Sequence, residues 1–316
     1  MAKQFQNRVA ESGLILPITA GITFMVWLLC GLIAHGWWGQ LLCFIATTYL
    51  MVELSNSNAL LRIRSRMVSC TFLVLSCTSC FTFGSMPAAF TQLCFVAATT
   101  FLFRLYQDNQ SPGRTFYAFA CIGLSSFSFV QIFYLVPLIW ILMASQLQAF
   151  SMRTWLASLL GLACPYWFAM VYYFYVQDFT ALALHFDPLL SLPVPHGYSL
   201  LTFSHIAAFL LVIILMTTGI IHFLMHGYED KIRIRQLYSY YIMISFVLVL
   251  FLILQPQHYD IYMGLLIATA SPLIAHYMTL THTKTSNIIF IVSILLSFLL
   301  VIYHFVSPYL NVWTGS

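Results

Sequence analysis

The 316 residues are 61% hydrophobic and only 6% charged, with Phe, Trp and Tyr together at 17%. So little charge does not cover the surface of a water-soluble domain, and the formal net charge of +4 therefore reports membrane topology and not affinity for nucleic acid. Residues 1–316 read as one integral membrane domain, all-α and polytopic, with no soluble domain, linker, low-complexity tract or internal repeat.

Lys3 and Arg8 precede an apolar run from Leu14 to His35. That run is longer than the apolar region of a signal peptide and lacks a small-residue cleavage site, so it reads as a retained first helix. His35-Gly-Trp-Trp-Gly39 is a turn whose tryptophans suit the headgroup level. A second crossing runs from about Gln40 to Leu61, and Arg62, Arg64 and Arg66 then mark a cytoplasmic loop. Met67 to Phe83 returns outward, Gly84-Ser-Met-Pro87 turns, and Ala88 to Leu105 comes back to the polar stretch ending at Arg114.

The 38 residues between Arg114 and Arg153 are too many for one crossing of a 30 Å bilayer core and suit two short ones. Keeping both arginines on the cytoplasmic side requires the chain to leave and return, which predicts a hairpin turning near Ser125 to Gln131. After the two crossings of the hairpin, another follows from Thr154 to about Tyr175. Residues 176–201 form the longest loop, where Pro188, Pro193 and Pro195 preclude one continuous helix and the segment from Asp178 to Phe186 suits a short helix in the membrane interface. Thr202 to Met225, Leu237 to Leu254, Ile261 to Leu280 and Ile288 to Val306 complete about eleven crossings, N-terminus in and C-terminus out. In this scheme all twelve Lys and Arg lie on the cytoplasmic side or at its boundary.

Two resemblances enter at the middle of the chain. Gly123-Leu124 in a short helix, a polar turn, a second helix, a basic loop at Arg153 and then Gly161-Leu-Ala-Cys-Pro165-Tyr-Trp167 resemble the centre of the GT-C membrane glycosyltransferase fold. With Tyr172-Tyr173-Phe174 and Asp178 just beyond, the same stretch resembles an uncharacterised family of bacterial inner-membrane proteins found in Bacteroidota. The resemblance covers about residues 114–180. It implies a bacterial inner-membrane location, a GT-C-like helical core and a lipid-linked or cell-envelope glycan, or an envelope-assembly protein, as partner beside the bilayer. GT-C enzymes resemble one another in a catalytic Asp or Glu in the first external loop and in external basic residues that hold the lipid phosphate. Here that loop is only His35 to Gly39, without a carboxylate, and the expected external face carries no Lys or Arg. A base for the acceptor hydroxyl and cations for the departing phosphate are both missing from their places, so the architecture is expected without the familiar mechanism.

Glu53 is the acid expected within a membrane helix, with Asn56 and Ser57 on its face. Its cost at membrane depth, roughly 2.5–3.5 kcal/mol on insertion scales, requires that it face protein or water. It serves either as an ion or headgroup site or as an interface residue paired with an arginine such as Arg62, Arg64 or Arg104. On the external face stand Asp178, His185, Asp187, His196, His258 and Asp260. Asp and His together can hold a divalent metal, the one cofactor this chain suggests, although no established ligand spacing is present. Gln131, with Ser125, Ser126 and Ser128, either lines a groove at the hairpin tip or satisfies backbone groups where two helices end. A ligand groove, if formed, is expected there, between the hairpin tip, the Tyr172 to Asp178 helix end and the loop carrying His185, Asp187 and His196. The eight cysteines fall in apolar segments, and Cys77-Thr-Ser-Cys80, a C-x-x-C without a partner pair, reads as helix packing. Three functions remain open: a catalytically reduced GT-C-like protein that binds or helps handle a lipid-linked envelope glycan, an active polyprenyl-phosphate-dependent glycosyltransferase, and a transporter using Glu53.

Overall fold

The computed structural model describes residues 5–63, 65–177, 179–190 and 198–314. Arg64, Asp178, Pro193, Pro195, His196 and Ser316, on which parts of the sequence reading rest, lie outside the described residues. Among the described residues there are helices and no strands: α1 (Phe5–Glu11), α2 (Ile15–Leu29), α3 (Leu32–His35), α4 (Trp38–Asn58), α5 (Met67–Thr78), α6 (Met86–Phe103), α7 (Pro112–Ser125), α8 (Leu135–Ser145), α9 (Met152–Val176), α10 (Phe179–Leu190), α11 (Phe203–His226), α12 (Ile232–Leu254), α13 (Tyr259–Leu280) and α14 (Lys284–Thr314).

Six helices are each long and apolar enough to cross a membrane, namely α6, α9, α11, α12, α13 and α14, and α1 with α2 makes a seventh if that pair, bent by 95°, is one span. This multi-pass helical architecture agrees with the membrane class read from composition, while the count of about eleven is not reached by this measure. The reason is length and polarity. At 1.5 Å per residue, α5, α7 and α8 span only about 17–21 Å, and α4 ends in Glu53-Leu-Ser-Asn-Ser-Asn58.

Local chemistry explains the breaks. Gly31 and Gly36 take φ values of +94° and +67°, which ends α2 and then α3 in left-handed backbone that glycine adopts without strain. The Ser85 hydroxyl accepts the Ala88 N–H, and Pro87 sits in the first turn of α6. Ser151 and Thr154 form a reciprocal capping box at the start of α9. In α10 the helix continues through Pro188 to Leu190, so Pro188 does not end it as expected; placed in the last turn, it interrupts little of the ladder.

The hairpin forms as two short helices. After α7 the chain turns, passes through a 3-10 turn (Val130–Tyr134) and continues as α8. The Ser125 and Ser126 hydroxyls donate to the carbonyls of Ile122 (2.8 Å) and Gly123 (2.6 Å), capping the end of α7. At the far end, Gln107 N–H donates to Leu147 O at 2.8 Å and Ser151 Oγ to Asn109 O at 2.9 Å, so α7 and α9 begin side by side and Arg114 and Arg153 share one end of the bundle. α7 and α9 then run in parallel at close range. A Cβ on Gly161 would lie 2.5 Å from Phe116 O, and one on Gly123 2.8 Å from Leu162 O.

α13 is the axis, surrounded by α5, α6, α11 and α12. From Ile261 to His276 every residue is buried. Ten basic residues are described, and all lie at one end, in α1, in the loop before α5, just after α6 and in or just before the first turns of α7, α9, α12 and α14. Cross-links between elements tie that end together, including Arg62 to Asp230, Arg233 to Asn58 and Gln6 to Thr281. The opposite end carries the turns at His35, Gly84, Gln131 and His258.

Candidate functional site

At the end opposite the basic residues, helix breaks bring several of the expected residues together. Gln131 Nε2 lies 3.3 Å from His258 Nε2, and the Phe129 ring meets the His258 ring edge-on at 5.0 Å. Ser126 Oγ and Tyr166 Oη are 2.6 Å apart, Tyr166 Oη is 3.4 Å from His185 Nε2, and Tyr134 Oη donates to Leu189 O at 3.1 Å. Hairpin tip, α9 and α10 thus converge, with Tyr166 as the hub. The Tyr172 to Val176 end of α9 instead stands exposed beyond them, Tyr175 at 88%. Asp187 is exposed on α10.

Asp260 does not join His258, although only Tyr259 separates them in sequence. At the start of α13 the helix turns it to another side, where it lines a small cavity with Trp27, Ser76, Thr82 and Gln92. Among the described residues no group of three or more His, Cys, Asp or Glu could hold a metal ion, and Asp178 and His196 lie outside that description.

Glu53 sits near the basic end of α4. Its carboxylate pairs with Arg104 at 3.3 Å, with side chains 41% and 47% exposed, which is the arginine-paired alternative of the sequence reading. Asn56 and Ser57 are exposed beside it. The residue that reaches inward is Asn58, missed from sequence: it donates to Leu54 O at 2.9 Å and accepts from Arg233 Nη2 at 2.8 Å.

A buried ionic network at the same end was also missed. Asp230, whose side chain is 1% exposed, accepts from Arg62 Nε at 2.6 Å and lies 3.0 Å from His276 Nε2 on α13. Glu229 pairs with Arg62 Nη1 at 2.5 Å. The Asp230 hydrogen bond, more than any other influence, raises Arg62 above its ordinary value, so this cation stays charged. His222 lies beside His276 with ring centroids 5.5 Å apart, and the Nδ1 atoms of both are buried without a hydrogen-bond partner.

The second unforeseen feature is an apolar cleft of about 130 Å³ that begins at the basic end. α5 and α13 form its floor through Cys70, Val74, Leu75, Ile274 and Met278, while α2 and α14 wall it with Ile15, Thr19, Phe290 and Ile294. α1 lies across its mouth, contributing Phe5 and Val9. That strap is fastened: Gln6 Nε2 donates to Met278 O at 2.5 Å and to Thr281 Oγ1 at 3.0 Å, and Gln6 N–H donates to Asn287 Oδ1 at 3.0 Å. Of the hydroxyls in the lining, that of Thr71 is buried without a partner among the described residues and three others are spent on their own helices. Thr19 donates to Ile15 O, Ser293 to Phe290 O and Ser297 to Ser293 O, at 2.7–2.9 Å, so the surface offered is apolar. Arg66 stands exposed one helical turn before Cys70, whose N–H bonds to Arg66 O at 3.1 Å, and Lys284 stands exposed at the start of α14. Among the described residues neither cation has an ion-pair partner.

No family model matches the chain, and no curated protein or solved structure matches it either.

Proposed function

We propose that this multi-pass protein binds lipid, taking one chain of an anionic lipid into the cleft between α2 and α14 from the leaflet on its basic side. The carrying observation is the cleft itself, apolar in lining, with Arg66 exposed just before α5 and Lys284 exposed at the start of α14, both helices that form it. A cavity of about 150 Å³ lined by Leu, Ile and Phe stays free of water and takes an apolar guest; a cleft of about 130 Å³ with comparable walls does the same. In a bilayer the hydrocarbon chain gains nothing by leaving one apolar surroundings for another. Selection therefore rests on the headgroup at Arg66 and Lys284, with each Lys or Arg near an anionic surface contributing about 1 kcal/mol.

The test is lipid analysis of the purified protein. Arg66→Gln with Lys284→Gln is expected to weaken retention of anionic lipid about thirtyfold, and Ser293→Phe, which fills the cleft, to remove it. Retention unchanged in both variants overturns the reading.

A GT-C-like core that binds a lipid-linked envelope glycan, or assists an envelope-assembly protein, is the second reading, in the bacterial inner membrane as the first also assumes. The pairs Gln131–His258 and Tyr166–His185 at the opposite end favour it. Phosphate binding there requires a divalent metal, since the cations lie at the other end. Glycan-lipid binding that survives chelator sinks this second reading. Glu53, in its exposed ion pair, supplies no argument for transport.

A further inference from the structure

The helix α1 is short and turned away from its neighbour. Its seven residues span about 10 Å, and a helix of that length does not hold its shape in water without a surface to dock on. The 95° bend between Glu11 and Ile15 carries it off the axis of α2 and across the end of the bundle, over the mouth of the apolar cleft. A Cβ on Gly13 would meet nothing within 4 Å, and Gly13 and Leu14 are exposed, so no packing stiffens the joint.

We infer that α1 is a lid on the cleft, hinged at Ser12 to Leu14, with Gln6 as its latch. Phe5 and Val9 line the cleft from above, and the Phe5 ring lies 6.1 Å from that of Phe290. Gln6, fully buried, reaches two elements at once: its Nε2 donates to Met278 O and Thr281 Oγ1 at the end of α13, and its N–H donates to Asn287 Oδ1 in the first turn of α14. The other end of α1 is held by Ser65 Oγ, which donates to Ala10 O at 2.5 Å.

Against these bonds stand two orphans. Gln6 Oε1 and Asn7 Oδ1 are buried and, among the described residues, have no hydrogen-bond partner. A buried acceptor without a donor carries its full desolvation cost, and lifting α1 to the headgroup layer gives both of them water. The closed state is thus fastened by one side of the Gln6 amide and penalised by the other, which puts α1 among the segments that open locally while the bundle stays folded. Once lifted, a helix with Phe5 and Val9 on its apolar side and Arg8 beside them suits the membrane interface, so opening leaves no apolar face in water. What the lid admits rests on the lipid reading of the cleft; its motion does not.

The full-length protein in nanodiscs is loaded with phosphatidylglycerol carrying a pyrene on one acyl chain, and release is followed after mixing with vesicles of unlabelled phosphatidylglycerol. Hydrogen exchange over residues 5–12, read by mass spectrometry, follows the lid itself. Gln6→Ala keeps a strong helix former in α1 and removes both side-chain bonds, so it is expected to speed release about tenfold and to raise exchange over residues 5–12 by a similar factor, with α13 unchanged. Ser65→Ala, which frees the other end, should act in the same direction and serves if Gln6→Ala misfolds. Equal release from the wild type and both variants, or exchange over residues 5–12 as slow as that of α13, overturns the lid. A wild type that retains no labelled lipid defeats the lipid reading, while the lid then stands or falls on the exchange of residues 5–12.

Discussion

Replacing Arg62 by Ala removes one of the two side chains that hold a carboxylate out of water. The Asp230 side chain is 1% exposed and keeps only the 3.0 Å contact with His276 once the 2.6 Å bond from Arg62 is gone. Removing one member of a buried ion pair costs about 3–5 kcal/mol, because the other charge stays buried without compensation. Arg62 is itself 32% exposed, so water replaces part of the guanidinium and the loss falls at the low end, about 3 kcal/mol, or roughly a hundredfold in the unfolding equilibrium. The control is Arg104→Ala, whose pair with Glu53 is open to solvent and is worth roughly 0–1 kcal/mol. Both are read by reversible unfolding in mixed micelles. Adding Asp230→Asn to Arg62→Ala removes the stranded charge and should return part of the lost stability, a non-additivity that contacting residues show. Equal loss for Arg62→Ala and Arg104→Ala, or no recovery in the double variant, refutes the buried-charge argument.

Close helix contact makes Gly161→Ala costly, by about 1–3 kcal/mol, since its Cβ would meet Phe116 O at 2.5 Å, whereas Gly21→Ala, with nothing within 4 Å, should be tolerated; thermal unfolding of the two variants distinguishes them. Reporter fusions after Arg66, Arg153 and Arg235 should read cytoplasmic and one after Gly36 external, and a cytoplasmic signal at Gly36 would reverse the assigned polarity. The cavity beside Asp260 holds about 20 Å³, room for one water, and both the Trp27 Nε1–H and Ser76 Oγ in its lining are buried without partners. An experimental map at high resolution should show a water there bridging these groups to Asp260, and an empty cavity counts against it.

Much of the bundle was legible because it follows from local rules. Thr202 to Met225 was expected as a crossing and α11 spans Phe203–His226; the paired arginines at 114 and 153 required the hairpin that forms. α12 starts earlier than expected, at Ile232, because Arg233 and Arg235 are good helix formers and extend the span into the headgroup region. What escaped the sequence is pairing at long range. Arg62 read as a topology signal and Asp230 drew no reading at all, and nothing local says that 168 positions apart they share a buried bond. The cleft is equally invisible, since it exists where α2 and α14 stand on either side of a shared floor and not in the composition of either helix.

The complete burial of α13 bears on how the protein is made. A helix that never touches lipid has no need to be soluble in it, and α13 carries Asp260, Thr269, Ser271, Pro272 and His276 along its length. α14, by contrast, has only 22% of its span buried and consists largely of Ile, Leu, Val and Phe. During synthesis α14 can partition into the bilayer by itself, but α13 emerges before it and must be received by α5, α6, α11 and α12, already in place. Its insertion is then an act of assembly, so a chain stopped after Leu280 should associate only where those earlier helices have formed their groove, and isolated α13 should be rejected by the membrane that accepts α14.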